Sequence, residues 1–120
     1  MVDSCGWIAL IDAEINIDTA FLEIFGKYEF VVIDSVWAEL EKIQEKSTSK
    51  KLLLVILKNK STILNLLESG GKHTDDMLLE LSMKNHWPVL TVDRKLKKRL
   101  HENNCKVIQV VGSKKIELIT

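Results

Sequence analysis

Apolar residues recur along this chain at two spacings, one typical of amphipathic helices and the other of buried strands. Between residues 17 and 25 they fall three or four positions apart, and Gly26 then marks the end of a predicted helix. Residues 29–33 are mainly β-branched and aromatic, which predicts a strand. A capping residue, Asp34 or Ser35, opens the next predicted helix. Its apolar stripe consists of Val36, Leu40 and Ile43.

Helices and strands continue to alternate along the chain. The remaining predicted elements are a strand stub at 1–2, a helical turn at 7–11, a helix at 50–60, a strand or helix continuation at 62–67, a loop at 70–73, a helix at 75–85 capped by Thr74, a strand at 89–92, a helix at 93–103 and a strand at 107–111. This alternation predicts an α/β fold, with one domain over residues 1–120 and a central parallel sheet flanked by helices.

Composition excludes several classes of protein. The 120 residues carry 17 basic and 17 acidic side chains, so any surface that attracts nucleic acid must be local. The two cysteines, Cys5 and Cys105, form neither a disulfide framework nor a zinc spacing, and they predict a reduced, cytoplasmic setting. The apolar runs fall far short of the roughly 20 residues that span a bilayer, and the first residues lack a signal-peptide pattern. We therefore expect a soluble, unprocessed protein with no membrane segment.

Carboxylates stand where predicted strands end and where predicted helices meet the core. Asp3 follows the strand stub, and Asp93 follows the strand at 89–92. Glu39 lies at the border of the apolar stripe of its helix, although an ordinary surface glutamate is an equally good interpretation. Because the carboxyl ends of neighbouring parallel strands form one crevice, we expect these side chains to gather there.

The adjacent acids Asp75 and Asp76 fall in the first turn of a predicted helix. The residues three, four and seven positions after Asp75 are apolar or small, whereas those after Asp76 are mixed. Asp75 is therefore predicted to face inward and Asp76 to lie at the rim. Helix capping and the helix dipole also explain acids in a first turn, and they account well for Asp76 and Asp93. They account less well for Asp75, because Thr74 is already a predicted cap.

Carboxylates that gather at one place repel one another and raise each other's pKa unless a cation neutralises them. Mg²⁺ or Mn²⁺ suits an all-oxygen site that keeps water ligands. Such an ion activates water and stabilises charge on a phosphoryl oxygen, which is the chemistry of phosphodiester hydrolysis.

One predicted helix carries five cations close together. Leu96 and Leu100 face the core, so the cations face outward. They are Arg94, Lys95, Lys97, Lys98 and Arg99. A solvated helix face is the ordinary interpretation of such a run. Placed beside the acidic crevice, the same run would bind RNA phosphates.

Four segments resemble motifs of the PIN-domain ribonucleases. They are Asp3-Ser4-Cys5, residues 28–32 leading to Glu39-Leu40-Glu41-Lys42, residues 74–81, and residues 90–100. The resemblance covers nearly the whole chain. It is closer to the archaeal and eukaryotic branch associated with ribosomal RNA processing than to the VapC toxins.

The resemblance implies a compact α/β fold and a Mg²⁺- or Mn²⁺-dependent endoribonuclease that cuts single-stranded or loop RNA. The catalytic residues it implies are Asp3, Glu39, Asp75 and Asp93. The metal ligands it implies are Asp3, Asp75, Asp76 and Asp93, with Glu39 as a further ligand or as the base that positions water. RNA is the implied partner; a second copy of the chain, an antitoxin and a ribosome-assembly factor stay open as others.

The chain departs from the family pattern at three places. The family's first motif usually reads Asp-Thr-Asn, but Ser4 and Cys5 follow Asp3 here, so a polar amide is missing beside this acid. Val92 stands where an asparagine often precedes the last acid. Only two residues precede Asp3, so we expect it to be held less rigidly.

Two other classes of function compete with a nuclease. A degenerate PIN domain that binds RNA or protein without cutting is favoured by Cys5 and Val92 and opposed by the intact acids. A receiver-like signalling domain also gathers acids around Mg²⁺. Asp34 follows a strand as its phosphoacceptor would, but no lysine after a later strand is convincingly placed.

Overall fold

Helices and strands alternate through most of the chain, which the computed structural model describes over residues 1–46, 53–65, 73–112 and 115–119. The helices in these ranges are α1 Ser4–Asp12, α2 Ile17–Phe25, α3 Asp34–Lys46, α4 Leu53–Lys60, α5 Thr74–Asn85 and α6 Arg94–Glu102. The strands are β1 Phe30–Ile33, β2 Ser61–Leu64, β3 Val89–Leu90, β4 Val107–Val111 and β5 Lys115–Ile119. None of these helices is long and apolar enough to cross a membrane.

Two parallel strand pairs are joined through the first residues of the chain. β1 pairs with β2, and β3 pairs with β4, both in parallel. Val2 forms a parallel bridge with Leu90 of β3, and its amide donates to the Val31 carbonyl of β1 at 3.0 Å. Residues 1–3 therefore lie between the two pairs. The spatial order is β2, β1, residues 1–3, β3, β4 and β5.

This central position corrects the expectation that Asp3 would be held loosely. Val2 is completely buried, and the Leu90 amide donates to the Met1 carbonyl at 2.8 Å. The Asp3 amide donates in turn to the Leu90 carbonyl at 2.9 Å. The first strand is short, but because hydrogen bonds fix it on both sides, its acid is anchored in the middle of the sheet.

Most of the predicted elements are present, with small changes at their ends. The helix predicted at 17–25 is α2, Gly26 is its C-cap at a φ of 67°, and the strand predicted at 107–111 is β4. The ambiguous stretch at 62–67 is strand β2 over Ser61–Leu64. Within the loop predicted at 70–73, only His73 lies in the described residues.

Three local features differ from the prediction. The strand predicted at 89–92 is shorter: β3 covers Val89–Leu90, and the Thr91 amide still donates to the Ile108 carbonyl of β4 at 3.1 Å. Thr74 is the first residue of α5 and does not cap it, because His73 occupies the N-cap position without a side-chain hydrogen bond. Strand β5 was not predicted, and it pairs antiparallel with β4, so the sheet is not wholly parallel.

An aromatic cluster fills the core on one side of the sheet. Trp7 of α1 is completely buried, and its ring meets the ring of Phe30 edge-on at a centroid distance of 5.7 Å. The Phe21 ring of α2 meets Phe30 in the same way at 4.9 Å. Large aromatic side chains contribute much of the apolar burial of a small domain. The cluster therefore fixes α1 and α2 against β1.

Gly6 lets α1 lie unusually close to β3. A Cβ atom at this position would lie 2.4 Å from the Leu90 carbonyl oxygen and 2.9 Å from the Thr91 amide nitrogen. Real Cβ atoms do not approach backbone atoms so closely. Only glycine fits here, and the close contact brings the start of α1 to the end of β3.

Candidate active site

Asp3 lies at the carboxyl end of the central segment and begins α1. It is only 5% exposed, and its Oδ1 accepts a hydrogen bond from the Ser4 amide at 2.9 Å. Its Oδ2 accepts from the Thr91 hydroxyl at 2.8 Å and from the Cys5 thiol at 3.1 Å. Hydrogen bonds to a carboxylate stabilise its charged form and fix its orientation. The Cys5 thiol thus supplies a donor beside Asp3, where the family motif carries an amide.

Asp93 lies at the end of β3, and the Thr91 hydroxyl links it to Asp3. The Asp93 amide donates to the Thr91 oxygen at 3.1 Å. The Asp93 Oδ1 caps α6, because it accepts from the Lys95 amide at 2.9 Å and from the Leu96 amide at 3.4 Å. The predicted capping role of Asp93 is confirmed. The Asp93 carboxylate therefore caps α6 and also lies beside the crevice at the end of the sheet.

Glu39 projects from α3 and is tied to the start of α1. The Ser4 hydroxyl donates to Glu39 Oε2 at 2.7 Å. The Thr74 hydroxyl of α5 lies 3.0 Å from Ser35 Oγ and 3.4 Å from Glu39 Oε1. Three helices therefore meet around this exposed carboxylate. These contacts distinguish Glu39 from an ordinary surface glutamate.

Asp75 lies within electrostatic range of the other three acids. The pKa of its carboxyl is raised above the ordinary value of 3.8, first by partial burial and then by the charges of Asp3 and Asp93. The Glu39 charge adds to this rise, and the Arg99 charge opposes it. The expectation that clustering would raise the pKa of at least one acid is met at Asp75. The structure therefore brings Asp3, Glu39, Asp75 and Asp93 to one end of the sheet.

Asp76 is paired with a cation of α6 at the edge of this group. The Arg99 Nη2 donates to Asp76 Oδ1 at 2.6 Å, and each of the two side chains is 41% exposed. This agrees with the rim position that helical periodicity predicts. It also gives Asp76 a cation as its immediate partner.

The carboxylates form an all-oxygen set whose mutual repulsion a cation would relieve. Within the described ranges, no three His, Cys, Asp or Glu side chains are close enough to hold one ion directly. Mg²⁺ retains several waters and is commonly bound through only one or two carboxylates. A hydrated divalent ion with direct bonds to one or two of these acids is therefore compatible with the arrangement, and Asp3, Asp75 and Asp93 are the residues that would hold it.

The five cations of α6 separate into different environments. Arg94, Lys95 and Lys98 are exposed, as the predicted outward face requires. Lys97 is half-buried, and its Nζ donates to Gln109 Oε1 of β4 at 2.7 Å. Arg99 is paired with Asp76 on the side of the acids. The predicted basic face is thus exposed at three positions and engaged with protein groups at two.

Sequence reasoning missed the hydroxyl groups that organise the acids. Ser4 holds Glu39, and Thr91 holds both Asp3 and the Asp93 amide. Thr74 was assigned to capping, but its hydroxyl reaches α3 instead. Their only signal in the sequence is position, since each lies within two residues of an acid. Such hydroxyls are too common for that signal to select them.

A family model for the PIN-like domain matches residues 1–113. This match spans nearly the whole chain, and the chain therefore belongs to the PIN-like domain family. The resemblance found in the four sequence segments is confirmed. Nucleases with this domain generally use divalent metal ions. No curated protein matches the sequence.

A solved structure of the PIN domain endonuclease Utp24 is similar to this chain, with a TM-score of 0.81 and 21% sequence identity. The superposition covers 98% of this chain and 87% of the Utp24 chain. At that identity the likeness establishes the fold. It confirms the predicted α/β architecture, with helices around a largely parallel sheet.

Proposed function

We propose that this protein is an endoribonuclease that uses Mg²⁺ or Mn²⁺ to hydrolyse phosphodiester bonds in single-stranded or loop RNA. The observation that carries the proposal is the gathering of Asp3, Glu39, Asp75 and Asp93 at the carboxyl end of the sheet. Partial burial is the first cause of the raised pKa of Asp75, and the charges of Asp3, Asp93 and Glu39 raise it further. Membership in the PIN-like family supports the same reaction.

The residues divide the work of hydrolysis between them. Asp3, Asp75 and Asp93 would hold a hydrated metal ion, one or two of them directly and the rest through its water ligands. The ion would supply charge stabilisation and an activated water. Glu39 receives the proton of the attacking water on its carboxylate, which the Ser4 hydroxyl at Oε2 and the Thr74 hydroxyl near Oε1 hold in place. The oxygen of that water bonds to phosphorus while the bond to the leaving ribose oxygen breaks, and the leaving oxygen takes up a proton from solvent.

RNA approaches over the exposed face of α6. Arg94, Lys95 and Lys98 lie on the helix that Asp93 caps, so a strand bound along them passes the carboxylates. Cationic side chains bind phosphates whatever the sequence, so α6 positions the strand without selecting bases. Ribosomal RNA is the first substrate to test, because the sequence motifs resemble the branch of the family associated with ribosomal RNA processing.

A binding module without catalysis is the second candidate. Within the described residues, the spacing of the acids is too wide for three of them to hold one ion directly, and this favours the module. So do Cys5 and Val92, which replace polar residues of the family pattern. The module would bind RNA through α6 and leave it intact.

The deciding experiment is cleavage of labelled loop-containing and ribosomal RNA by the purified protein with Mn²⁺, Mg²⁺ or EDTA. We expect cleavage with either metal and none in EDTA. Asp75→Asn should lower the rate by about 100-fold or more, which is typical of losing a charge-stabilising group. It should leave RNA affinity equal or higher, because a negative charge is removed.

Glu23→Gln is the matched control, since this exposed acid of α2 lies in a helix that contributes nothing to the carboxylate group. Its cleavage rate should equal that of the wild type. RNA binding by the wild type without any metal-dependent cutting that Asp75→Asn removes would overturn the nuclease proposal and establish the binding module.

A further inference from the structure

Arg99 and Asp76 form an ion pair at the edge of the carboxylate group. The pair is short, at 2.6 Å, and both side chains are 41% exposed. Asp76 adjoins Asp75 in α5, and the Arg99 charge acts on the Asp75 carboxyl. The guanidinium therefore lies within electrostatic range of the acids and is also open to solvent.

Stability does not account for this pair. Exposed ion pairs contribute little to folding, because water competes for both charges and because ordering two long side chains costs entropy. In this pair, one terminal nitrogen of Arg99 donates to one oxygen of Asp76. A guanidinium carries five N–H donors in a rigid planar fork. The contact with Asp76 engages one terminal nitrogen, so the fork has the capacity to bind an anion with more than one oxygen, such as a phosphate.

The other cations of α6 provide a comparison. Lys97 donates to Gln109 on β4, so its ammonium group packs against the sheet. Arg94, Lys95 and Lys98 are exposed on the helix surface. Arg99 differs from all four, because a carboxylate fixes it on the side where Asp75 lies.

We propose that Arg99 binds the phosphate at the point of cleavage, and that Asp76 positions the Arg99 guanidinium instead of binding the metal ion. This inference rests on the proposed nuclease function. As water adds to phosphorus and the bond to the leaving oxygen breaks, negative charge grows on the non-bridging phosphate oxygens. A guanidinium already held beside them stabilises that charge without further rearrangement. Arg99 is then a catalytic residue and Asp76 a positioning residue.

The first test compares Arg99→Met and Arg99→Lys with Lys106→Met. Lys106 is an exposed control that removes the same charge at the amino end of β4, the end of the sheet opposite the acids. We expect Arg99→Met to lower kcat by about 100-fold with little change in KM. Arg99→Lys should fall between it and the wild type, because lysine keeps the charge but lacks the fork. Lys106→Met should match the wild type.

The second test separates a positioning role for Asp76 from metal binding. Asp76→Asn should lower kcat by about 10-fold and leave the Mn²⁺ concentration for half-maximal activity unchanged. In an Arg99→Met background it should cause no further loss, because its effect passes through Arg99. The rise in Tm with Mn²⁺, measured without RNA, should be the same for Asp76→Asn and the wild type.

Several outcomes would overturn the inference. A kcat of Arg99→Met equal to that of the wild type would be one such outcome. Another would be a loss of RNA affinity in EDTA as large as the loss of kcat, since Arg99 would then be an ordinary phosphate contact. A higher Mn²⁺ requirement for Asp76→Asn in both backgrounds would make Asp76 a metal ligand. If the wild type cleaves no RNA, the proposed function itself fails; if it cleaves and Arg99→Met cleaves equally well, only this inference fails.

Discussion

Asp75 is the residue on which the charges of the site act together. Its carboxyl is partly buried and faces the fields of three other acids, with Arg99 as the opposing charge. A carboxyl whose pKa is raised by folding adds stability when protonated and removes it when charged. The arrangement that prepares the site for a cation therefore weakens the metal-free protein at neutral pH.

The destabilisation caused by the charged Asp75 carboxyl leads to a prediction for Asp75→Asn. In EDTA at pH 7, we expect the variant to melt at a higher temperature than the wild type, because the repelled charge is gone. The difference should shrink as pH falls through the raised pKa toward 3.8, where the wild-type carboxyl is also protonated. Thermal melts between pH 7 and 4 measure the difference. Glu23→Gln should show no such trend, and a variant less stable than the wild type at pH 7 would contradict the argument.

Helix α1 shows at the scale of an element how packing positions a site residue. The helix begins at Asp3 and crosses the end of β3 at a distance that leaves no room for a Cβ atom at Gly6. Ser4, in its first turn, then reaches Glu39 of α3. A small displacement of α1 would therefore move two of the four acids relative to each other.

Gly6→Ala should destabilise the protein, although alanine is the better helix former. The added methyl group meets rigid backbone at Leu90, and overpacking of this kind typically costs about 1–3 kcal/mol. Denaturant unfolding followed by circular dichroism gives the change in free energy. Ala9→Gly in the same helix is the comparison, since it lowers helix propensity by about 1 kcal/mol without a clash. Equal stability of Gly6→Ala and the wild type would show that α1 can shift at no cost.

Helix α6 leads to a prediction about RNA binding. Replacing both Lys95 and Lys98 by alanine removes two exposed cations beside the capping residue Asp93. RNA affinity should fall, and the slope of log K against log salt should become shallower by about 0.7 for each lost contact to a single strand. Filter binding in EDTA across a range of salt concentrations measures both.

Replacing Lys27 and Lys106 by alanine is the control for this prediction. It removes the same charge from two exposed positions, one ahead of β1 and one ahead of β4. The slope of this double variant should equal that of the wild type. Equal slopes for both double variants would show that α6 does not contact RNA phosphates.

Elements that one strong local signal specifies were predictable from the sequence. Elements that depend on contacts with distant residues were not. The apolar stripe and Gly26 specify α2, and the inward face specifies the direction of Asp75. Strand β5 lies at the edge of the sheet, with Lys115 and Glu117 exposed, so its pattern carries little information about pairing. Thr74 would have capped an isolated helix. Its hydroxyl instead contacts a residue 39 positions away, which no local rule includes.

Over the whole molecule the acidic and basic charges are equal in number, but they are distributed unevenly around the site. The chain carries 17 acidic and 17 basic side chains. Four of the acids nevertheless meet at one end of the sheet, and exposed cations lie along the surface of α6. The proposed attraction to RNA should therefore act over short distances and weaken as salt rises. The whole fold also responds to anything that binds these acids, because they come from four separate parts of the chain.

Mn²⁺ should accordingly stabilise the entire protein. An ion that binds only the folded state adds about 2.7 kcal/mol when its concentration is 100 times its Kd. We expect Tm to rise with Mn²⁺ up to millimolar concentrations, and to rise less in Asp75→Asn. Scanning calorimetry measures both shifts, with Ca²⁺ and Na⁺ at equal ionic strength as controls. An unchanged wild-type Tm at millimolar Mn²⁺ would contradict the site.

The position of residues 1–3 between β1 and β3 determines when the carboxylate group can form during synthesis. Asp3 is held by Thr91, 88 positions later in the chain, and Val2 is paired with Leu90 of β3. Closing so long a loop is slow, and it cannot begin until the later segment has left the ribosomal exit tunnel. A nascent chain that ends before β3 cannot complete the carboxylate group. Under the proposed function, the order of contacts in the fold therefore prevents RNA cutting until β3 has been synthesised and has paired with residues 1–3.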